Sequence, residues 1–266
     1  MSKSILLAQV TDAHLLAQTT AELRGCNVWQ SFNTVLQDVV RCNPDGLILT
    51  GDLAERGEAD AYGHLVAAIA PLHMPIYWLP GNHDHLENLQ QALQLLPTSQ
   101  GLTAVNLGHW QLMLLNSVLP QAKFGEGHLS PQQLINLQTH LKQHPHKPTL
   151  IALHHQPVPV GIDWVDQMQI RNSREFLTVL DHFPNVKLVV FGHIHHEFHG
   201  RSTNGVDFYG CPSTCLQVIS PELEVVEERP GFRLVWLYGD GSYRTEVRRV
   251  KIRNLVKGGE FNQTFV

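Results

Sequence analysis

The chain has 266 residues, 43% of them hydrophobic, and carries 19 basic against 24 acidic side chains for a net charge of −5. That length supports one large core, and the acidic balance excludes an electrostatic nucleic-acid binder, which needs a clustered basic face. No apolar window approaches the length of a membrane-crossing helix.

The opening MSKSILLAQVTDAH has an apolar run too short for a signal peptide and no small-residue cleavage site, so a cytoplasmic location is expected. Its first strand, ILLAQVT, ends at Asp12-Ala13-His14. Val28, Phe32, Val35, Leu36, Val39 and Val40 then repeat at helical spacing until Asn43-Pro44-Asp45 stops them. A second apolar run, GLILT, ends at Gly51-Asp52 and is followed by an amphipathic helix from about Ala59 to Ala70, closed by Pro71. The third, PIYWLP, ends at Gly81-Asn82-His83-Asp84, ahead of a helix carrying Leu86, Leu89, Leu93 and Leu96. Ser130-Pro131 supply the N-cap and first position of a fourth helix, with Leu134, Leu137 and Leu141 inward. TLIAL runs into His154-His155, Phe176, Leu177 and Leu180 mark a fifth helix, and VKLVVF runs into Gly192-His193-Ile194-His195.

This alternation of strand and helix over residues 1–195 is that of crossover units around a buried sheet. From about Val206 the helices stop; GVDFYG, GFRLVWLYG and GSYRTEVRRV read as strands joined by Gly-Asp-Gly type turns. They are expected to pair antiparallel and complete a second sheet. The expected architecture is therefore one α/β domain over 1–266: a four-layer α-β-β-α sandwich of two packed mixed sheets flanked by helices. The run Arg248, Arg249, Lys251 and Arg253 reads as a solvated edge, and Cys26, Cys42, Cys211 and Cys215, without zinc-ribbon spacing, as reduced structural thiols.

Five polar clusters just past the C-terminal ends of apolar strands are the informative feature, because ligand sites of open α/β sheets assemble at that edge. Asp12, His14, Asp52, Asn82, His154, His193 and His195 offer carboxylate, carbonyl and imidazole groups without thiolate, a set suited to Fe, Mn, Zn or Co. Seven ligands exceed what one tetrahedral ion uses, and with one bridging carboxylate they suffice for two ions. Alternate residues of an extended segment point the same way, so Asp12 and His14 are expected to face one ion, as are His193 and His195. Asp84 reads as an N-terminal helix residue favourable to the dipole; His85, His128, His196 and His199 read as surface or outer residues, and Trp164 and Phe198 as packing or as flanks of a base.

D-x-H, G-D, G-N-H-D, a strand-terminal His and G-H-x-H, in that order, resemble the calcineurin-like metallophosphoesterase superfamily. His154-His155-Gln156-Pro157, Gly161, Trp164, Asp166, Arg171-Asn172, Pro212-Ser213-Thr214-Cys215, Pro230-Gly231-Phe232-Arg233, Asp240-Gly241 and Thr245-Glu246-Val247 resemble its bacterial class III cyclic-AMP phosphodiesterases. The resemblance implies one ion held by Asp12, His14, Asp52 and His195 and another by Asp52, Asn82, His154 and His193, with Asp52 shared. It implies a substrate phosphate among His14, Asp52, Asn82, His83, His154 and His195, with His83 the catalytic group that helps the leaving oxygen, or else an outer partner of the ligands. The family commonly has three consecutive histidines where this chain has His154-His155-Gln156; His154 is read as the ligand because it is first past the strand, with His155 the alternative. The implied activity is hydrolysis of 3′,5′-cyclic AMP to 5′-AMP by in-line attack of a metal-bound hydroxide. Alternatives are hydrolysis of glycerophosphodiesters, 2′,3′-cyclic nucleotides or other phosphate esters, or a non-catalytic scaffold. The implied partners are two transition-metal ions (Fe, Mn or Zn) and a small cyclic nucleotide, with no nucleic-acid polymer, no membrane, and a homodimer as the candidate assembly.

Overall fold

Apolar residues on alternate sides of the strands sort into three separate cores, and these cores set the layers. The computed structural model describes residues 4–223, 225 and 227–252; Arg253 of the basic run lies outside them. In chain order the first elements are β1 (Ile5–Val10), α1 (Val28–Arg41), β2 (Gly46–Thr50), α2 (Ala59–Ile69), β3 (Ile76–Leu79) and α3 (Leu86–Leu93). Next come β4 (Ser99–Gly101), β5 (Ala104–Leu107), β6 (Trp110–Leu114), α4 (Pro131–Gln143) and β7 (Thr149–Leu153). The remainder is α5 (Asp163–Asp166), α6 (Ser173–Asp181), β8 (Val186–Phe191), β9 (Phe198–Arg201), β10 (Asp207–Gly210), β11 (Gly231–Leu237) and β12 (Tyr243–Arg249).

Two six-stranded mixed sheets result, ordered β12-β11-β1-β2-β3-β4 and β5-β6-β7-β8-β10-β9. Strands have a side-chain period of two, so Leu7, Ile48 and Leu79 of the first sheet meet Leu150, Ala152, Leu188 and Val190 of the second in a central core. Their neighbours Ala8, Val10, Leu47, Leu49 and Trp78 face outward onto Phe32 and Val35 of α1, Leu65 of α2 and Leu89 of α3. Ile151, Leu153, Val189 and Phe191 face the other way, onto Leu137 and Leu141 of α4 and Phe176 and Leu180 of α6. The four-layer sandwich expected from the sequence is thus present.

The closing strands depart from the expectation. They do not all complete the second sheet: β10 joins it parallel to β8, with β9 antiparallel at its edge, while β11 pairs antiparallel with β1 of the first sheet and carries β12 outside it. The reason is burial. In β11, Val235 and Leu237 enter the inter-sheet core while Phe232 and Leu234 face the helices, so it needs neighbours on both sides and both faces. β12, with no residue of its span fully buried, suits an edge. Nor is the basic run wholly solvated: Arg249 Nη1 donates to Gln217 Oε1 at 2.9 Å and to the Arg229 carbonyl at 2.8 Å.

Helix ends follow the local signals: Ser130 Oγ accepts from Gln133 N at 3.2 Å, with Pro131 opening α4. The helix expected to reach Ala70 ends at Ile69 and tightens into a 3-10 turn over Ala70–Leu72, where Pro71 lacks an N–H. Ile48 is fully buried between the sheets. Ile48→Ala should cost about 2–5 kcal/mol of unfolding free energy, measured as a shifted urea midpoint; a shift no larger than that of a surface substitution would contradict the packing.

Candidate metal centre

β1, β2 and β3 run parallel, as do β6, β7 and β8, and the C-terminal ends of β1, β2, β3, β7 and β8 deliver all five polar clusters to one rim. The loops stay tied past the strands: Asp12 N donates to the Gly51 carbonyl at 3.0 Å, His14 N to that of Asp52 at 2.9 Å, and Gly192 N to that of His154 at 3.1 Å. Asp12, His14, Asp52, His193 and His195 all have positive φ, between 45° and 67°. The side chains of each D-x-H and H-x-H pair are therefore not aligned by an extended pleat, as the sequence suggested; left-handed residues turn them inward. Such backbone is sparsely populated by non-glycine residues and persists where surrounding structure holds it. Here Ser213 Oγ donates to the Asp12 carbonyl at 2.7 Å and Thr214 N to that of Thr11 at 3.2 Å, which places the Pro212–Cys215 motif as a brace for the first loop.

Two glycines permit the close approach. A Cβ on Gly81 would overlap the Asp52 carboxylate, and one on Gly192 would overlap Thr11 Oγ1 and Asp12. In that space backbone N–H groups one or two residues past each glycine reach the carboxylates: His83 N donates to Asp52 Oδ1 at 2.9 Å and His193 N to Asp12 Oδ2 at 3.0 Å.

Three histidines have their orientation set from behind. His14 Nδ1 lies 2.6 Å from Glu55 Oε2, His154 Nδ1 2.8 Å from the Thr50 carbonyl, and His195 Nδ1 2.8 Å from the Leu216 carbonyl. Carbonyls and a carboxylate only accept, so each Nδ1 is the protonated nitrogen and each Nε2 of a neutral ring turns a lone pair inward. Those lone pairs meet other acceptors. His14 Nε2 and His195 Nε2 are 3.2 Å apart, and His195 Nε2 is 3.2 Å from Asp12 Oδ1. His154 Nε2 is 3.1 Å from Asn82 Oδ1, 3.3 Å from Asp52 Oδ2 and 3.2 Å from His193 Nδ1. Buried acceptors packed against acceptors are unfavourable unless something positive lies among them. The residues therefore fit cations, and Asp52, grouped with His14 and His83 on one side and with Asp12 and His154 on the other, sits between the two halves.

The titration behaviour agrees. Burial works against ionising Asp12 and Asp52, but His195 and His154 around the first, and His154, His83 and His14 around the second, hold both carboxyls below the usual range. Burial together with His155 and His154 keeps His193 well below the usual histidine range, neutral with a lone pair to give. His154 differs: burial opposes its charge, yet Asp52 lifts it to about 9, so without a cation its Nε2 carries a proton toward Asp52, and a bound cation would take that proton's place. His155 is pushed down to about 3 by burial and by His154; its Nδ1 is 2.8 Å from Ser117 Oγ, and it is His154, not His155, whose ring nitrogen reaches Asp52 and Asn82.

Other sequence expectations shift. Asp84 precedes α3 and is a half-buried clamp: it accepts from Leu53 N, Ala54 N, Gly81 N and Tyr62 Oη at 2.9–3.2 Å and so locks the Asp52 loop to the Asn82 loop. Burial and the neighbouring Asp52 push its carboxyl up despite those donors. His196 is buried, its Nδ1 2.7 Å from the Ile194 carbonyl, whereas Phe198 packs against Phe191 away from the rim. Glu55 escaped the sequence reading altogether, although it lies three residues past Asp52; its carboxylate is 3.6 Å from His83 Nδ1, which also meets its carbonyl at 2.9 Å.

The cluster floors a cavity of about 390 Å³, whose other side is formed by Ala122–Gly125, Trp164, Met168 and Val218. The Glu126 carboxylate holds this loop, accepting from Lys123 N at 3.1 Å and Phe124 N at 2.7 Å and pairing with Arg171. Burial opposes its ionisation, but those N–H groups, its own and Arg171 bring Glu126 from 4.5 down to about 2. A depressed carboxyl stabilises the fold above its unfolded value and stops doing so as pH falls through the folded one. Glu126→Gln should therefore be less stable than the parent near neutral pH, and the gap in urea midpoint should close between about pH 4.5 and about pH 2; a constant gap would show that the carboxylate charge is not what holds the loop.

Residues 5–197 match the Calcineurin-like phosphoesterase family. A 3′,5′-cyclic-nucleotide phosphodiesterase from Nostoc is 40% identical over 250 residues, covering 92% of each chain. The 3′,5′-cyclic adenosine monophosphate phosphodiesterase CpdA of Escherichia coli is 38% identical over 254 residues, covering 92% of this chain and 90% of that one. Among solved structures, a dimetal phosphatase from Danio rerio superposes with a TM-score of 0.65 over 88% of this chain and 93% of its own at 16% identity, a likeness of fold.

Proposed function

This chain belongs to the calcineurin-like phosphoesterase family, and we propose that as a single domain it hydrolyses 3′,5′-cyclic AMP to 5′-AMP at a two-metal centre. The observation that carries the reading is the pair of inward-facing histidine and carboxylate groups that share Asp52. Asp12, His14, Asp52 and His195 would hold one ion, and Asp52, Asn82, His154 and His193 the other, with Fe, Mn or Zn suited to these nitrogen and oxygen ligands. Such a pair of ions, when bound, supplies charge for the phosphoryl oxygens and an acidified water.

The chain's own residues do the rest. His14, Asn82, His83 and His195 line the cavity floor and orient the phosphate. His83 is positioned to donate a proton to the departing 3′-oxygen: burial disfavours its charge, but Asp52 and Glu55 outweigh that and raise its affinity for a proton. Glu55, holding Nδ1 of His14 and His83 together, fixes the donor relative to the ligand set. No helix among the described residues is long and apolar enough to cross a membrane.

A panel of 3′,5′-cAMP, cGMP, 2′,3′-cAMP and a glycerophosphodiester with manganese-loaded protein tests the assignment: kcat/KM should be highest for 3′,5′-cAMP, and a higher value for another ester would replace it. Asp52→Ala should lose metal at both positions and Asp12→Ala mainly at one, read by elemental analysis. His154→Ala should lose metal and activity where His155→Ala keeps most of its metal; the reverse would move the ligand one residue on. His83→Ala should keep both ions and lose on the order of 10²–10³ in kcat on cAMP, but much less on an aryl diester whose leaving group is already acidic. Equal losses on the two substrates would remove the acid role.

A further inference from the structure

Apart from Lys123, the cavity lining outside the ligand cluster carries no charged side chain and is largely apolar, and metal and phosphate chemistry do not account for its apolar part. Phe124, Trp164, Met168 and Val218 line it. Phe124 is 55% exposed, and among the large hydrophobic residues exposed in the described chain it is the one that lines this cavity.

Both sides of this wall are built rather than slack. On one side, Glu126 collects the N–H groups of Lys123 and Phe124, and the Arg171 guanidinium pairs with it from outside. Gly127 is tied to the facing segment in both directions, through Gln169 O at 3.3 Å and Arg171 N at 2.8 Å. On the other side, Gln156, where three consecutive histidines would have placed a third, is buried and donates Nε2 to the Val165 carbonyl at 2.7 Å, while its own carbonyl accepts from Ile170 N at 3.2 Å. Asp166 accepts from Val160 N at 2.6 Å and Gly161 N at 3.1 Å, closing the turn that carries Trp164. An aromatic ring held by its backbone at the mouth of a polar site offers a face to any flat, weakly polar group carried by the ligand below.

Resting on the phosphodiesterase reading above, we propose that Phe124, with Trp164 and Met168, forms the binding site for the purine base of the substrate. This wall, and not the ligand cluster, sets the preference for a nucleotide over a base-free phosphodiester. The phosphate is held on the polar floor and the base leans on the apolar wall, so loss of the wall should weaken ground-state and transition-state binding alike and leave the chemistry intact.

Metal-loaded wild-type, Phe124→Ala and Phe124→Trp proteins are compared on 3′,5′-cAMP and on ribose 3′,5′-cyclic phosphate without a base, with calorimetric binding of 5′-AMP and ribose 5-phosphate as a readout independent of turnover. In Phe124→Ala the KM for cAMP should rise on the order of tenfold with kcat little changed. The base-free ester should be unaffected, 5′-AMP should weaken by a similar factor while ribose 5-phosphate does not, and Phe124→Trp should restore both values. An unchanged KM for cAMP, or equal changes with and without the base, overturns the proposal. Wild-type protein that hydrolyses another diester but not cAMP overturns the phosphodiesterase reading instead. In that case equal binding of 5′-AMP and ribose 5-phosphate overturns the base site as well, whereas tighter binding of 5′-AMP that is lost in Phe124→Ala upholds it.

Discussion

Two buried carboxylates govern this molecule. Asp12 and Asp52 are 0% and 2% exposed, and a carboxylate removed from water is stable only when hydrogen-bonded and matched by positive charge. Each receives a backbone N–H from another loop of the rim, and the ring nitrogens of His154 and His195 crowd in beside them. The fold thus concentrates electron-donating groups at the junction of its two sheets and holds them there with its own backbone. Cations would complete that arrangement, and their binding energy would then add to fold stability as well as to chemistry.

Holding the donors apart from a protein's usual geometry requires a rigid frame. The sandwich provides it, because the cluster draws on β1, β2 and β3 of one sheet and β7 and β8 of the other, and the central core locks the sheets together. Gln9 reinforces that seam just below the site, donating Nε2 to Thr50 Oγ1 in its own sheet and to the Phe191 carbonyl in the other, each at 3.0 Å. Five left-handed residues among the donors are tolerated because loop-to-loop hydrogen bonds over-determine them. Asp84 shows the same economy of means: one carboxylate satisfies three backbone N–H groups and a tyrosine hydroxyl, and so a residue outside the proposed ligand set fixes the spacing of the Asp52 and Asn82 loops.

The cavity divides its labour by polarity. Charge and lone pairs on the floor suit any phosphate ester, which is why this chemistry by itself selects weakly among substrates. Under the proposed base site, discrimination would come from Phe124, Trp164 and Met168 on the wall, whose placement depends on Glu126, Arg171, Gln156 and Asp166. These residues lie outside the metal motifs.

The motifs and the strand ends were legible in the chain itself, for a physical reason: a buried parallel strand is a continuous apolar run, and the loop at its C-terminal end must be polar where it meets solvent or a ligand. Asp12, His14, Asp52, Asn82, His154, His193 and His195 stand at those ends, and the structure does bring them together. What only tertiary structure decided has no such local signature. The placement of β11 beside β1 depends on which sheet had an unpaired edge and a core able to cover both faces of that strand. The left-handed backbone at the donors depends on partners such as Gly51, Ser213 and Thr214, distant in sequence. Glu55, Lys123, Phe124 and Met168 sit in loops without periodicity, so their roles follow from what they face across space. Local patterning encodes burial and periodicity; which groups share a cavity is settled only when the two sheets close on each other.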